Sequence, residues 1–357
     1  MSTNPDNRGS PPKVYFGVQV LRGFAALAVV VAHGAQVFAQ RTGYRLELTA
    51  GESGVDLFFA ISGFVMVVVT AGTWGKPHIA GSFLARRIIR IVPLYWAVTL
   101  LKCFLMLLLP ALIMNTELSI AHLTTSLLFI PGLYQFPILQ VGWTLSFEML
   151  FYLLFAAGLV FTSRPVWLLS GGLTAMVLVG ALFGRNWGAF SILANPMLIE
   201  FVFGMLIGLA TVRGKFMPAP ISVAILLASL GALCLSNLVD SAALYQHRLW
   251  VWGMPSAIVL AAVVSLEAPL RGRNIRPLVK LGDASYSLYL IHALVIGAVW
   301  SVSTKVVPLN VFTSVAIYVL ATVASVVIAW IIYQWMELPV TSRLTKWWAS
   351  RRAVATA

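Results

Sequence analysis

Arg22 and His33 stand eleven positions apart in the apolar stretch VLRGFAALAVVVAHG. On a helix, eleven steps return to within about 20° of the start and advance roughly 16 Å, so the two side chains share one face at two depths. Two carboxylates lie in comparable apolar settings, Asp56 in GVDLFFAISGF and Glu148 in GWTLSFEMLFY. If both of their helices run in the direction opposite to the first, each carboxylate enters near the end where His33 lies, and the three groups are expected at similar depths. A neutral imidazole oriented by a carboxylate suits proton transfer near neutral pH. The plainer alternative is a buried polar network that joins helices.

A second cluster is basic. In SFLARRIIRIVPLY, Arg86, Arg87 and Arg90 occupy a helix entrance, and i,i+3 or i,i+4 spacing puts Arg90 on one face with either of the others. Such a fork matches phosphate oxygens by bidentate hydrogen bonding, although three arginines at a membrane boundary also serve as plain anchoring. In LGDASYSLYLIH, Tyr286, Tyr289 and His292 recur every three residues and form a loose stripe, which equally describes an interfacial aromatic belt. Lys102 and Glu200 fall inside apolar runs with no partner evident in the sequence, and Glu337 in MELP reads as a cap or loop contact.

The elements that must hold these residues are set by composition. Of 357 residues, 60% are apolar and 10% charged, with a mean hydropathy of +0.92. Soluble domains carry about 25% charge, so this chain is solvated mostly by lipid. Apolar runs of spanning length occur at 14–39, 54–72, 88–114, 142–162, 166–184, 190–212, 219–238, 248–267, 282–303 and 311–336. The stretch 118–131 is short, ends at Pro131-Gly132, and reads as re-entrant. The expected fold is an all-α polytopic membrane protein, one bundle of about ten transmembrane helices. Strict alternation is missing, so a barrel is not expected.

A net charge of +13 would suggest nucleic acid in a soluble protein, but here it is read by side. With the N-terminus inside, and with Arg90 and Arg248 at span ends counted with the side they border, 17 of the 24 Lys and Arg fall on the cytoplasmic side, five on the other and two, Arg22 and Lys102, within the membrane; both termini are therefore expected in the cytoplasm and no nucleic-acid partner is. Arg22 argues against reading the first span as a cleaved signal peptide. Residues 1–13 read as a disordered cytoplasmic N-terminus, 14–340 as the membrane domain, and 341–357 as a short basic cytoplasmic tail with no room for a second soluble domain. Cys103 and Cys234 both lie in apolar stretches, which indicates neither a disulfide framework nor a thiolate metal site.

Taken in order, Arg22-x10-His33, FFAISGF at 58–64, ARRIIRIVPLY at 85–95, GWTLSFEMLFY at 142–152, LGDASYSLYLIH at 281–292 and the closing MELP resemble the membrane acyltransferase family 3, within it most closely the short exopolysaccharide and O-antigen acetyltransferases that lack a periplasmic extension. The resemblance implies transfer of an acyl group, acetyl in the first instance, from cytoplasmic acetyl-CoA to a hydroxyl of an exported polysaccharide or lipid-linked glycan, in a bacterial inner membrane, with membrane lipid around the bundle and no metal. The family's arginine and histidine pair falls on Arg22 and His33, and its arginine motif on Arg87 and Arg90, with Arg86 adjacent. His33 is then the base or acyl relay, assisted by Asp56 or Glu148. Arg22 either stabilises the carbonyl oxygen as charge develops or holds the donor. Arg86, Arg87, Arg90, Tyr286 and Tyr289 are the donor-binding candidates, and Ser62, Trp143 and His292 are further candidates within the motifs. The competing class is a proton-coupled transporter of a small solute, which buried Arg, His, Asp and Glu would also suit, but the two halves of the chain show no convincing repeat.

Overall fold

The computed structural model describes residues 14–76, 78–108, 118–132, 134–184, 188–271 and 273–355. The expected disorder of 1–13 and the last part of the third expected span lie outside them. Fifteen α-helices follow in order: α1 (Phe16–Thr42), α2 (Ser53–Thr70), α3 (Ile79–Leu108), α4 (Ile120–Leu127), α5 (Trp143–Phe161), α6 (Pro165–Phe183), α7 (Leu198–Val212), α8 (Ala219–Leu235), α9 (Ser241–Gln246), α10 (Met254–Ser265), α11 (Glu267–Arg271), α12 (Arg276–Asp283), α13 (Ser285–Val306), α14 (Val311–Ile332) and α15 (Leu338–Ala355). Among the described residues, eight helical stretches are long and apolar enough to cross a membrane, and the shorter apolar helices Leu198–Val212 and Leu249–Ser265 correspond to the other two expected spans. The protein is an all-α multi-pass membrane protein.

Bonds between chain turns define two ends. At one, the Phe16 and Gly17 N–H groups donate to the Glu267 carboxylate at 2.8 and 2.9 Å, placing an anion at the positive start of α1. Arg271 donates to the Val14 carbonyl, and the Met217 N–H to the Ser265 hydroxyl, at the same end. At the opposite end, the Ala50 N–H donates to Asn237 and the Tyr245 hydroxyl to Glu52. Burial and the adjoining Glu52 carboxylate push the Tyr245 phenol up from its ordinary value. Arg213, Lys215, Arg271, Arg273, Arg276 and Lys280 are all carried by connections at the first end, which is hereafter the basic end.

The stretch 118–131 contains only α4, eight residues long, about 12 Å of helix, too short to cross a membrane. It and the chain that follows fold back on α3: Tyr95 donates to the Ser126 carbonyl, Trp96 to the Leu127 carbonyl and Lys102 to the Ile138 carbonyl at 2.5 Å. The mid-span lysine is thus satisfied by a carbonyl and does not pair with Glu200. Helix α5 consequently begins part-way down the bundle, since Tyr289, five residues into α13, bonds both the Val141 carbonyl and the Thr144 hydroxyl at its start.

Close approach needs small residues where lipid supplies no hydrophobic drive between helices. In α7, Gly204 and Gly208 stand four apart, and a Cβ on Gly204 would collide with the Ala60 carbonyl of α2, as one on Gly63 would with the Phe201 carbonyl. Beside this crossing, Phe201 stacks on Phe59 at 4.7 Å and on Phe151 at 4.4 Å, tying α2, α5 and α7 into one core. Helix α1 lies against the other flank of α2, where Gly54 meets the Ala25 carbonyl.

Candidate active site

A cavity of about 90 Å³ lies between α1, α2, α3, α5 and α13. Val55, Phe58, Phe59 and Leu145 form its apolar wall; Arg22, Ser62, Arg87, Arg90 and Glu148 form its polar one. A second cavity of about 240 Å³ shares Arg22, Val65, Arg87 and Arg90 with it and reaches Val14 and Tyr15 at the basic end. Three arginines from two helices therefore stand where the two spaces meet. Among the described residues none of the three is ion-paired. Arg22 makes one long contact, 3.4 Å to the Gln19 amide oxygen, and Arg87 packs its guanidinium 5.7 and 5.8 Å from the Phe83 and Tyr152 ring centres. The Arg87 Nε is buried with no hydrogen-bond partner among the described residues. A buried donor without a partner costs about 1–3 kcal/mol, more for a charged one, so this wall is built to receive acceptor oxygens. Arg86 is exposed and lines neither cavity. Asp283, at the end of α12, lies within the fields of Arg22 and Arg90, which only partly offset the rise that burial gives its carboxyl.

Glu148 is the carboxylate of this cavity, and accepts the Ser62 hydroxyl at 2.5 Å. Tyr286 and Tyr289 also line it, but their phenol protons are committed to the Ile91 and Val141 carbonyls at 2.7 and 3.0 Å. They therefore fix α13 against α3 and the start of α5.

The expected grouping of His33, Asp56 and Glu148 does not form. Ser62, the partner of Glu148, is six residues further along α2 than Asp56, roughly 9 Å deeper toward the basic end, because α5 starts part-way down. Asp56, fully buried, is held bidentately by Arg248 at 3.0 and 2.8 Å, with the Trp252 ring 4.9 Å from that guanidinium and buried Glu200 facing the π turn of Leu249–Gly253. His33 instead meets His292, Nδ1 to Nε2, at 2.8 Å. The His292 ring packs 6.0 Å from Tyr289, so the imidazole pair stands beyond the cavity on the side away from the basic end. One turn further along α1, Gln36 donates to Glu52 at 2.5 Å. Glu337 accepts the buried Ser287 hydroxyl at 2.6 Å, a helix-to-helix contact and not the cap or loop contact expected.

A family model described as an acyltransferase domain matches residues 15–334. The chain belongs to this acyltransferase family. It is 34% identical over 269 residues, 73% of this chain and 81% of the relative, to the exopolysaccharide production protein ExoZ of Rhizobium meliloti (strain 1021). It is 31% identical over 218 residues, 56% of this chain and 96% of the relative, to protein 2 in the picA locus of Rhizobium radiobacter. With acyltransferase MdmB of Streptomyces mycarofaciens, identity is 27% over 308 residues, 77% of each chain. No solved structure matches. The protein is thus an integral membrane transferase of acyl groups other than amino-acyl groups, and the transporter reading gives way to it.

In this acyltransferase several lining residues escape a reading by motif. Tyr152 and Thr144 line the cavity four residues to either side of Glu148; helical i,i+4 spacing from that carboxylate would have found both. Arg248 opens the apolar run 248–267, and no local signal names Asp56 as its partner. Trp143 lines a different space, a cleft of about 530 Å³ bounded by α4, residues 129–132 and 134–137, α5 and Asn195.

Proposed function

We propose that this acyltransferase moves a short acyl group, in the first instance acetyl, from acyl-CoA entering at the basic end to a hydroxyl of an exported or envelope polysaccharide arriving from the opposite end. The basic end is the cytoplasmic one, by the positive-inside argument, and the membrane is a bacterial inner membrane. The observation that carries the reading is the convergence of Arg22, Arg87 and Arg90, none ion-paired among the described residues, where a cavity from the basic end narrows into the bundle. Coenzyme A is a polyanion with a long thin arm. Its phosphates suit the arginine rim, and its pantetheine arm and thioester suit the narrow apolar cavity beyond. The exopolysaccharide relative points the same way for the acceptor.

In this mechanism the acceptor oxygen attacks the thioester carbonyl while His33 takes its proton. The tetrahedral intermediate then collapses, the carbon–sulfur bond breaks, and the departing thiolate recovers the proton from the imidazolium. Arg22, roughly 16 Å from His33 along α1, stands with Arg87 and Arg90 where the two cavities meet and holds the donor there. Glu148 holds Ser62 and offsets part of the positive wall. If acetyl passes through His33 covalently, a quenched reaction without acceptor will retain label on the protein, whereas direct transfer leaves none.

The test is enzymatic. Membrane vesicles given labelled acetyl-CoA should release CoA thiol and label an added polysaccharide. Transport of a solute without thiol release would contradict the proposal.

A further inference from the structure

The two imidazoles permit their protons to be placed. His292 Nδ1 lies 3.1 Å from the Leu288 carbonyl oxygen on its own helix. A carbonyl only accepts, so that nitrogen carries the hydrogen. His292 is fully buried, and among the described residues no carboxylate bonds either ring. A buried charge without a counterion is costly, so both rings rest neutral. A neutral ring with hydrogen on Nδ1 has its lone pair on Nε2. The 2.8 Å contact between that Nε2 and His33 Nδ1 then needs a hydrogen supplied by His33. With its Nδ1 donating, neutral His33 has its own lone pair on Nε2.

We infer that His292 is the positioning residue of this acyltransferase: it locks His33 in the Nδ1–H tautomer and leaves His33 Nε2 as the one basic nitrogen offered to the reaction. This inference rests on His33 being the base of the proposed reaction. It assigns to a second, neutral imidazole the orienting part that a carboxylate was expected to play, and Asp56 and Glu148 are engaged elsewhere. The Leu288 carbonyl completes the relay, since without it the His292 ring would choose freely between tautomers and His33 with it. In the Nε2–H form His33 would present a donor to the acceptor hydroxyl and could not take its proton; comparable loss of tautomer control in a serine protease costs about 10⁴-fold.

Substitutions at 292 separate this role from mere packing. In His292→Gln the side-chain amide reaches the place of Nε2, and its carbonyl oxygen can accept the His33 hydrogen. In His292→Asn the shorter amide reaches the place of Nδ1, can bond Leu288 and falls short of His33. His292→Leu fills the space with no acceptor. The expected order in kcat is wild type, then Gln within about tenfold, then Asn and Leu lower by about 10²–10⁴-fold, with the acyl-CoA KM little changed. Asn and Leu proteins as active as wild type, or Gln no better than Leu, would overturn the inference. Should the variants fail to assemble, ¹⁵N spectra of histidine-labelled wild-type protein in detergent still decide. His33 is expected with protonated Nδ1 and a bare Nε2, whereas hydrogen on His33 Nε2 would overturn it. An active His33→Ala enzyme would sink the proposed reaction instead, leaving the spectroscopic assignment intact.

Discussion

His33→Ala is expected to abolish acyl transfer while the protein still inserts and elutes as a monodisperse peak in detergent. Thiol release from acetyl-CoA, compared at equal amounts of purified protein, checks it. The arginines are expected to act on donor binding. Charge reversal at Arg87 and Arg90 should raise the acyl-CoA KM by at least tenfold, since each lost charge-assisted bond is worth about 1.5–3 kcal/mol, whereas reversal of exposed Arg86 should change it by less than about threefold. An equal effect at all three positions would reduce the cluster to general anchoring. At this scale the sequence was partly legible. Residue type and setting marked Arg22, Ser62, Arg87, Arg90 and Glu148 as candidates, and all five line one cavity, although Glu148 was expected at the depth of His33 and the arginines at the other end. Pairing across helices was not legible: which carboxylate meets Arg248, or which ring meets His33, depends on helix rotation, to which a single sequence gives no access.

Helix packing sets the next scale. Gly204 lets α7 approach α2 so closely that any side chain there meets the Ala60 carbonyl. Gly204→Val should prevent correct assembly, seen as loss of the monodisperse peak, whereas Gly297→Ala, with nothing near its Cβ position, should be silent. The Arg248–Asp56 pair joins the π turn before α10 to α2 in a buried setting. Removing one partner strands a charge, so Arg248→Met or Asp56→Asn is expected to destabilise by about 3–5 kcal/mol, and the double replacement by less than the sum of the two. Thermal unfolding in detergent checks this, and additive single effects would argue against a direct pair. The depth of α5 is the element that counting misplaced. A span is assumed to start at the membrane surface, yet the chain from α4 onward folds back on Tyr95, Trp96 and Lys102, so its first residue lies within the bundle and Glu148 sits with Ser62, not at the level of Asp56.

For the whole molecule, composition and the Lys and Arg distribution were enough to give the multi-pass α-bundle, because lipid demands satisfied backbones and a chain with 10% charge has few other ways to fold. The arrangement separates two approaches: arginines and a cavity opening at the basic end, and the imidazole pair, Gln36 and Glu52 toward the other. On the proposed function, an acyl donor and a hydroxyl acceptor meet from opposite sides without either crossing the membrane whole. The most direct measurement uses sealed proteoliposomes in which every active copy faces one way. Labelled acetyl-CoA is added on the basic-end side and polysaccharide on the other. Label is expected on the polysaccharide in this arrangement, with equimolar CoA thiol on the donor side, and not when the two substrates are exchanged. Equal labelling with acetyl-CoA confined to the opposite side would contradict the account.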